Sequence, residues 1–87
     1  MTEQEARGQI RSYIVENFLY ARPGFAFSDD DSLLKKGVFD SLGVMELIGF
    51  IEETWKVEVP PDDIVEDNFG SVAGIARYVT SRKVPAA

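Results

Sequence analysis

Ser41 sits between an aspartate and a leucine at the head of an apolar and acidic stretch, Gly37-Val38-Phe39-Asp40-Ser41-Leu42-Gly43-Val44-Met45-Glu46-Leu47. A serine hydroxyl is a point of covalent attachment, but it is a weak nucleophile until a base takes its proton. The chain has no histidine, the commonest general base and metal ligand, and no cysteine, so it brings neither thiol nor disulfide of its own. Any reactive group must be imported, and Ser41 is the place to fix it. The carboxylates form no inward-facing pair on any predicted helix, so acid–base catalysis is not expected and the chain reads as a non-enzyme. Asp29-Asp30-Asp31 lacks the glycine and the terminal glutamate of a calcium loop; it reads as a solvated turn, and no metal site is expected.

The elements that must position Ser41 follow from periodicity. Thr2-Glu3-Gln4-Glu5 fits a capping box, and Ala6, Ile10, Tyr13, Ile14 and Phe18 recur at helical spacing up to about Leu19. From Tyr20 to Asp40 the pattern fails at Pro23-Gly24, at the Ser28–Ser32 cluster and at Gly37, yet Phe25, Phe27, Leu33, Leu34, Val38 and Phe39 are apolar. A long loop pinned to the core satisfies both facts. A second helix is predicted from about Ser41 to Trp55, with Val44, Leu47, Ile48, Ile51 and Trp55 as its core stripe. Either Asp40 or Ser41 can cap it, although Val44 stands where a capping box headed by Ser41 would need a glutamate. After the extended link Lys56–Val59, Pro61 at a first helical position predicts a one-turn helix through Asp62, Asp63, Ile64 and Val65, ending near Asp67-Asn68. Ser71 can cap a last helix with Val72, Ile75, Ala76 and Val79 on one face, and a frayed tail is expected over 84–87. The expected fold is all-α, a four-helix bundle with three long helices and one short, and a long loop between the first two.

Eighty-seven residues are expected to form a single domain, 1–87, with one core and too little chain for a deep catalytic cleft. A net charge of −6 argues against nucleic acid, whose phosphates call for a basic face, and favours basic protein partners. The apolar runs are too short to span a membrane, and the acidic N-terminus has no signal-peptide character, so a cytoplasmic location and a monomer are the expectation.

At about 100° per residue, Leu42, Met45, Glu46, Gly49, Glu52 and Glu53 fall together, opposite the core stripe of the second helix. Exposed apolar residues are ordinary on any surface. Two of them beside carboxylates, within a turn of Ser41, have the make-up of a transient docking patch. A phosphodiester on Ser41 would meet the unsatisfied N–H groups and the positive dipole end of this helix.

At these residues the chain resembles the acyl carrier protein family, including peptidyl and aminoacyl carriers, over nearly its whole length. Asp40-Ser41-Leu42 matches the family motif that opens the second helix, with Gly37-Val38-Phe39 before it and Glu46-Leu47 after it in register. Phe50-Ile51-Glu52-Glu53, Val57-Glu58-Val59-Pro60 and the helix from Ser71-Val72 to Tyr78-Val79 add to the match. The resemblance implies that Ser41 is esterified with 4′-phosphopantetheine from coenzyme A, whose terminal thiol carries acyl or aminoacyl groups as thioesters. It implies that Asp40 and Leu42 help present the serine to a phosphopantetheinyl transferase. It implies further that Leu42, Met45, Glu46, Glu52 and Glu53, extended by Asp62, Asp63, Glu66 and Asp67, form the face for partners with basic patches: an acyl- or aminoacyl-activating ligase, an acyltransferase or a synthase. Gly43 and Gly49 depart from the fatty-acid carrier pattern, thin the expected docking face and favour a specialised stand-alone carrier. A sheltered cargo would lie between the second helix and the loop-linked helices near Phe50, Ile64 and Phe69, where large residues including Trp55 limit the room. The alternative is an acidic helical adaptor that binds a protein partner without being modified.

Overall fold

Thr2 closes the capping box that the sequence predicts: its hydroxyl accepts from Glu5 N at 3.1 Å, and the Glu5 carboxylate accepts from Thr2 N at 2.9 Å. The computed structural model describes residues 2–82, so the expected tail at 84–87 lies outside the described residues. From the cap, α1 runs over Glu3–Phe18 with Ala6, Ile10 and Ile14 buried. Helix α2 spans Ser41–Trp55, and its stripe of Val44, Leu47, Ile48, Ile51 and Trp55 is buried as expected. A 3-10 turn at Pro61–Asp63 and a one-turn helix α3 at Glu66–Phe69 lead into α4, Val72–Arg82. Ser71 caps α4 by accepting from Gly74 N at 3.0 Å. Among the described residues the protein is all-helical, with no strand.

The segment after Pro60 departs from expectation. The single short helix predicted over 61–65 is replaced by two separate turns, broken at Ile64 and Val65, whose backbones are not helical (Val65 φ −130°, ψ 162°). Both are β-branched apolar residues, a type that loses rotamer freedom in a helix. Asp67 and Asn68 lie inside α3 rather than at its end.

The long loop is pinned as its apolar residues suggest, by means that local pattern does not reveal. The Arg11 guanidinium lies 4.1 Å over the Phe27 ring, donates to the Phe27 carbonyl at 2.9 Å and pairs with Asp29 at 2.8 Å. Two loop backbone groups then reach the α3–α4 corner: Leu33 N donates to Gly70 O at 2.8 Å, and Asp29 O accepts from Ala73 N at 2.9 Å. Phe27, Leu33, Val38 and Phe39 join α1, α2 and α4 in one core cluster. Each fully buried aliphatic side chain in such a cluster contributes about 1.5–3 kcal/mol over its exposed state. Leu34 is the exception among the loop's apolar residues, 43% exposed rather than pinned.

Packing of α1 against α2 is aromatic. Tyr13 stacks on Phe50 with centroids 4.0 Å apart, Phe50 meets Trp55 edge-on, and Phe18 meets Phe39 edge-on. Gly43 is buried at this seam, where a β-carbon would lie 2.5 Å from Phe39 Cβ and 3.1 Å from Phe18. Its lack of a side chain permits that close approach, so the reading of Gly43 as a gap in the docking face is corrected. Gly49 is exposed with open space around it, on the outer face as expected.

Candidate functional site

The start of α2 assigns the two candidate caps. Asp40 holds an extended backbone (φ −106°, ψ −167°) and its Oδ1 accepts from Gly43 N at 3.0 Å, so Asp40 is the N-cap. Ser41 is therefore the first residue of the helix, exposed, with its hydroxyl in no hydrogen bond among the described residues. A hydroxyl that caps a helix would be tied to an amide; here the aspartate takes that duty and leaves the serine oxygen open.

Ser41 stands on a ridge between two depressions. On the side facing α3 lies a recess of about 280 Å³ lined by Ser41, Val44, Met45, Leu34, Ile64, Val65, Glu66 and Phe69. That is far above the roughly 10–15 Å³ that one water requires. On the side facing α1 lies a shallower groove bordered by Leu42, Glu46, Asp40 and Gly43 with Phe18, Gly37 and Phe39. The docking patch read from the wheel is thus divided: Met45, 55% exposed, borders the recess, whereas Leu42, 75% exposed, borders the groove.

Ile64 and Phe69 line the space where a cargo was expected, but Phe50 does not. It faces α1, stacked on Tyr13, and Trp55 lies with it at the far end of α2, so neither limits the recess. Leu34, Val65 and Glu66 line the recess instead. Leu34 and Val65 fall in irregular segments without periodicity, and no sequence signal distinguishes them from other loop residues.

The acidic residues divide as well. Glu46, Glu53 and Asp62 are exposed. Glu52 is half-buried and accepts from Val59 N at 3.0 Å, which ties the link after α2 back onto the helix. Asp63 accepts from the Tyr78 hydroxyl at 2.6 Å, and its carbonyl accepts from Asn68 Nδ2 at 2.9 Å. Both carboxylates are thus engaged inside the fold. Burial first, and the Glu46 charge second, push the Tyr13 phenol above its ordinary value and keep it neutral.

An exposed hydroxyl opening a long helix, an adjacent apolar recess and a strand-free frame among the described residues suit a point of covalent attachment, and the N–H groups of the first turn suit a phosphate. Residues 13–79 match the family described as "Phosphopantetheine attachment site", and the chain belongs to that family. It carries a covalently attached 4′-phosphopantetheine. Among similar proteins are the D-alanyl carrier proteins of Streptococcus pyogenes serotype M5 (strain Manfredo), serotype M49 (strain NZ131) and serotype M1, each 38% identical over 50 residues. The match covers 58% of this chain and 63% of each relative, so the chain spans less than two thirds of the length of the curated relatives it matches. Among the described residues, no helix is long and apolar enough to cross a membrane.

Proposed function

We propose that Ser41 bears the 4′-phosphopantetheine and that the chain shuttles aminoacyl or acyl groups, as thioesters on that arm, between partner enzymes. The observation that carries this reading is the division of labour at the start of α2: Asp40 caps the helix, and Ser41 keeps an exposed, unengaged hydroxyl. In the attachment step Ser41 Oγ forms a bond to the pantetheine-side phosphorus of coenzyme A. The pyrophosphate P–O bond breaks, adenosine 3′,5′-bisphosphate leaves, and the hydroxyl proton passes to a base on the transferase, because this chain has no histidine to receive it. The arm supplies the thiol that the sequence lacks. Among the two cargo classes the aminoacyl one is favoured by the D-alanyl carriers to which the chain is similar.

The partners in this reading are a phosphopantetheinyl transferase, an activating ligase and an acceptor enzyme, each with a basic patch that meets Glu46, Glu53 and Asp62. Exposed ion pairs contribute about 0–1 kcal/mol each, which suits a carrier that must dissociate after every transfer. Intact-protein mass spectrometry after incubation with coenzyme A and a broad-specificity transferase tests the reading. Wild type is expected to gain one phosphopantetheine and Ser41→Ala none. No gain on folded wild type, with the transferase active on another carrier, would instead favour the unmodified adaptor.

A further inference from the structure

We infer that the recess beside Ser41 selects a cargo bearing an ammonium group, and that Glu66 is the residue that reads the charge; this rests on the carrier reading above and deepens it. Six of the recess-lining residues, Leu34, Val44, Met45, Ile64, Val65 and Phe69, are apolar. Ser41 and Glu66 are the two polar ones, and Glu66 is the single ionisable group in the lining. Its carboxylate is held in place. Ser32 Oγ donates to Glu66 Oε1 at 3.0 Å, and Lys35 N donates to Ser32 Oγ at 3.3 Å, so the hydroxyl that fixes the carboxylate is itself fixed. The carboxylate also lies against Gly70, where a β-carbon would sit 2.5 Å from Glu66 Cδ and 2.7 Å from Oε1, the oxygen that Ser32 holds; Gly70 thereby makes room for it.

No basic side chain pairs with Glu66: the ion pairs among the described residues join Arg7 and Arg11 to Glu3 and Asp29, and Lys36 to Asp31. The neighbouring charged residues in sequence, Asp62, Asp63 and Asp67, are acidic and add to the negative field. A positioned carboxylate without a cation, at the edge of an apolar recess, complements a small apolar group that carries a positive charge. An aminoacyl thioester has that form: a short side chain for the apolar wall and an α-ammonium for Glu66. A plain acyl chain of the same length would place hydrocarbon beside the carboxylate and gain nothing from it, so the preference is a difference between two affinities.

The test compares two cargoes that differ only in the amine. Holo protein is prepared by transferring alanyl- or propionyl-pantetheine phosphate from the matching coenzyme A derivatives, with an amide replacing the thioester so that the cargo stays in place. Intact mass verifies loading, and ¹⁵N amide shifts at Leu34, Val65, Glu66 and Phe69, with contacts from a ¹³C-labelled cargo methyl, report docking. In wild type the alanyl cargo is expected to perturb these amides and the propionyl cargo to perturb them less. Glu66→Gln, which keeps an acceptor for Ser32, is expected to lower the docked fraction of alanyl cargo about two- to fivefold, the range of an exposed ion pair, and to leave propionyl unchanged. Ser32→Ala keeps the charge but frees the carboxylate, and it is expected to weaken alanyl docking in a protein that does not depend on Glu66→Gln folding. Equal docking of both cargoes in wild type, or alanyl docking indifferent to Glu66→Gln, Ser32→Ala and added salt, would overturn the role of Glu66 and leave the carrier reading intact. Failure of both derivatives to load on Ser41, with the transferase active on another carrier, would overturn the carrier reading itself, and this inference with it.

Discussion

Two glycines in one helix show how much a single residue's surroundings decide. Alanine at position 43 gains up to about 1 kcal/mol of helix propensity, but its methyl meets Phe39 Cβ, an atom anchored to backbone that cannot swing away. Overpacking of this kind costs about 1–3 kcal/mol. Gly43→Ala is therefore expected to destabilise the protein by about 1–2 kcal/mol and, by displacing Phe39, to slow modification of the neighbouring Ser41. Gly49→Ala enters open space and is expected to stabilise by up to about 1 kcal/mol. Urea unfolding of the two variants checks both signs. The capping box gives a third expectation. Hydrogen bonds from Thr2, its backbone amide first, hold the Glu5 carboxyl below its ordinary value. A carboxyl whose folded pKa is depressed adds stability that is in place above its unfolded pKa and is lost as pH falls through the folded one. The first turn of α1 is thus expected to loosen on acidification below the usual glutamate range, seen as joint titration of the Glu5 carboxyl and the Thr2 amide by NMR; a Thr2 amide blind to that titration would refute it.

Among the elements, the connection from Pro61 to Phe69 has the least local regularity, and it walls one side of the recess. Its shape depends on Asp63, which binds Tyr78 on α4 and Asn68 in α3. Tyr78→Phe removes the hydroxyl while keeping the ring against Phe69, and is expected to cost about 1.5–3 kcal/mol, the range for a hydrogen bond to a carboxylate. The effect should be concentrated in this connection: faster amide exchange at Ile64 and Asn68, with α1 and α2 unchanged. Uniform acceleration across the chain would show the bond to be a general support instead. The contrast with α2 explains what the sequence made legible. Bounds and core stripe of α2 follow from one period carried over 15 residues, and the α1 cap from four consecutive residues. The clamp of Arg11 on Asp29, the hold of Tyr78 on Asp63 and the pairing of Ser32 with Glu66 depend on groups 15 to 34 positions apart meeting in space, which no local pattern encodes. The side on which Phe50 falls was missed for the same reason: its partner, Tyr13, is on another helix. At the site, the aspartate–serine pair was legible as a unit, but its division into cap and open hydroxyl required the backbone angles of Asp40.

For the whole molecule, a net charge of −6 sets the sign and strength of the field that a partner meets. Screening at physiological salt cuts exposed charges off beyond about 8 Å. Glu46→Lys reverses a charge beside Asp40 and Leu42 on the groove flanking Ser41. It is expected to slow phosphopantetheinylation several-fold at low ionic strength, with the gap to wild type narrowing as salt is added, and to leave the unfolding midpoint nearly unchanged. Equal rates at low salt would remove Glu46 from the docking face. The geometry of α2 also furnishes an optical instrument. Trp55 is the one tryptophan in the chain and lies at the opposite end of α2 from Ser41, about 20 Å away along the axis. It is 2% exposed, and Phe50, itself stacked on Tyr13, meets it edge-on. Its emission should therefore shift to the red when α1 separates from α2 and stay constant when a group is loaded at the serine. The same fluorescence trace can certify that every variant is folded while the chemistry at the other end of the helix is followed by mass.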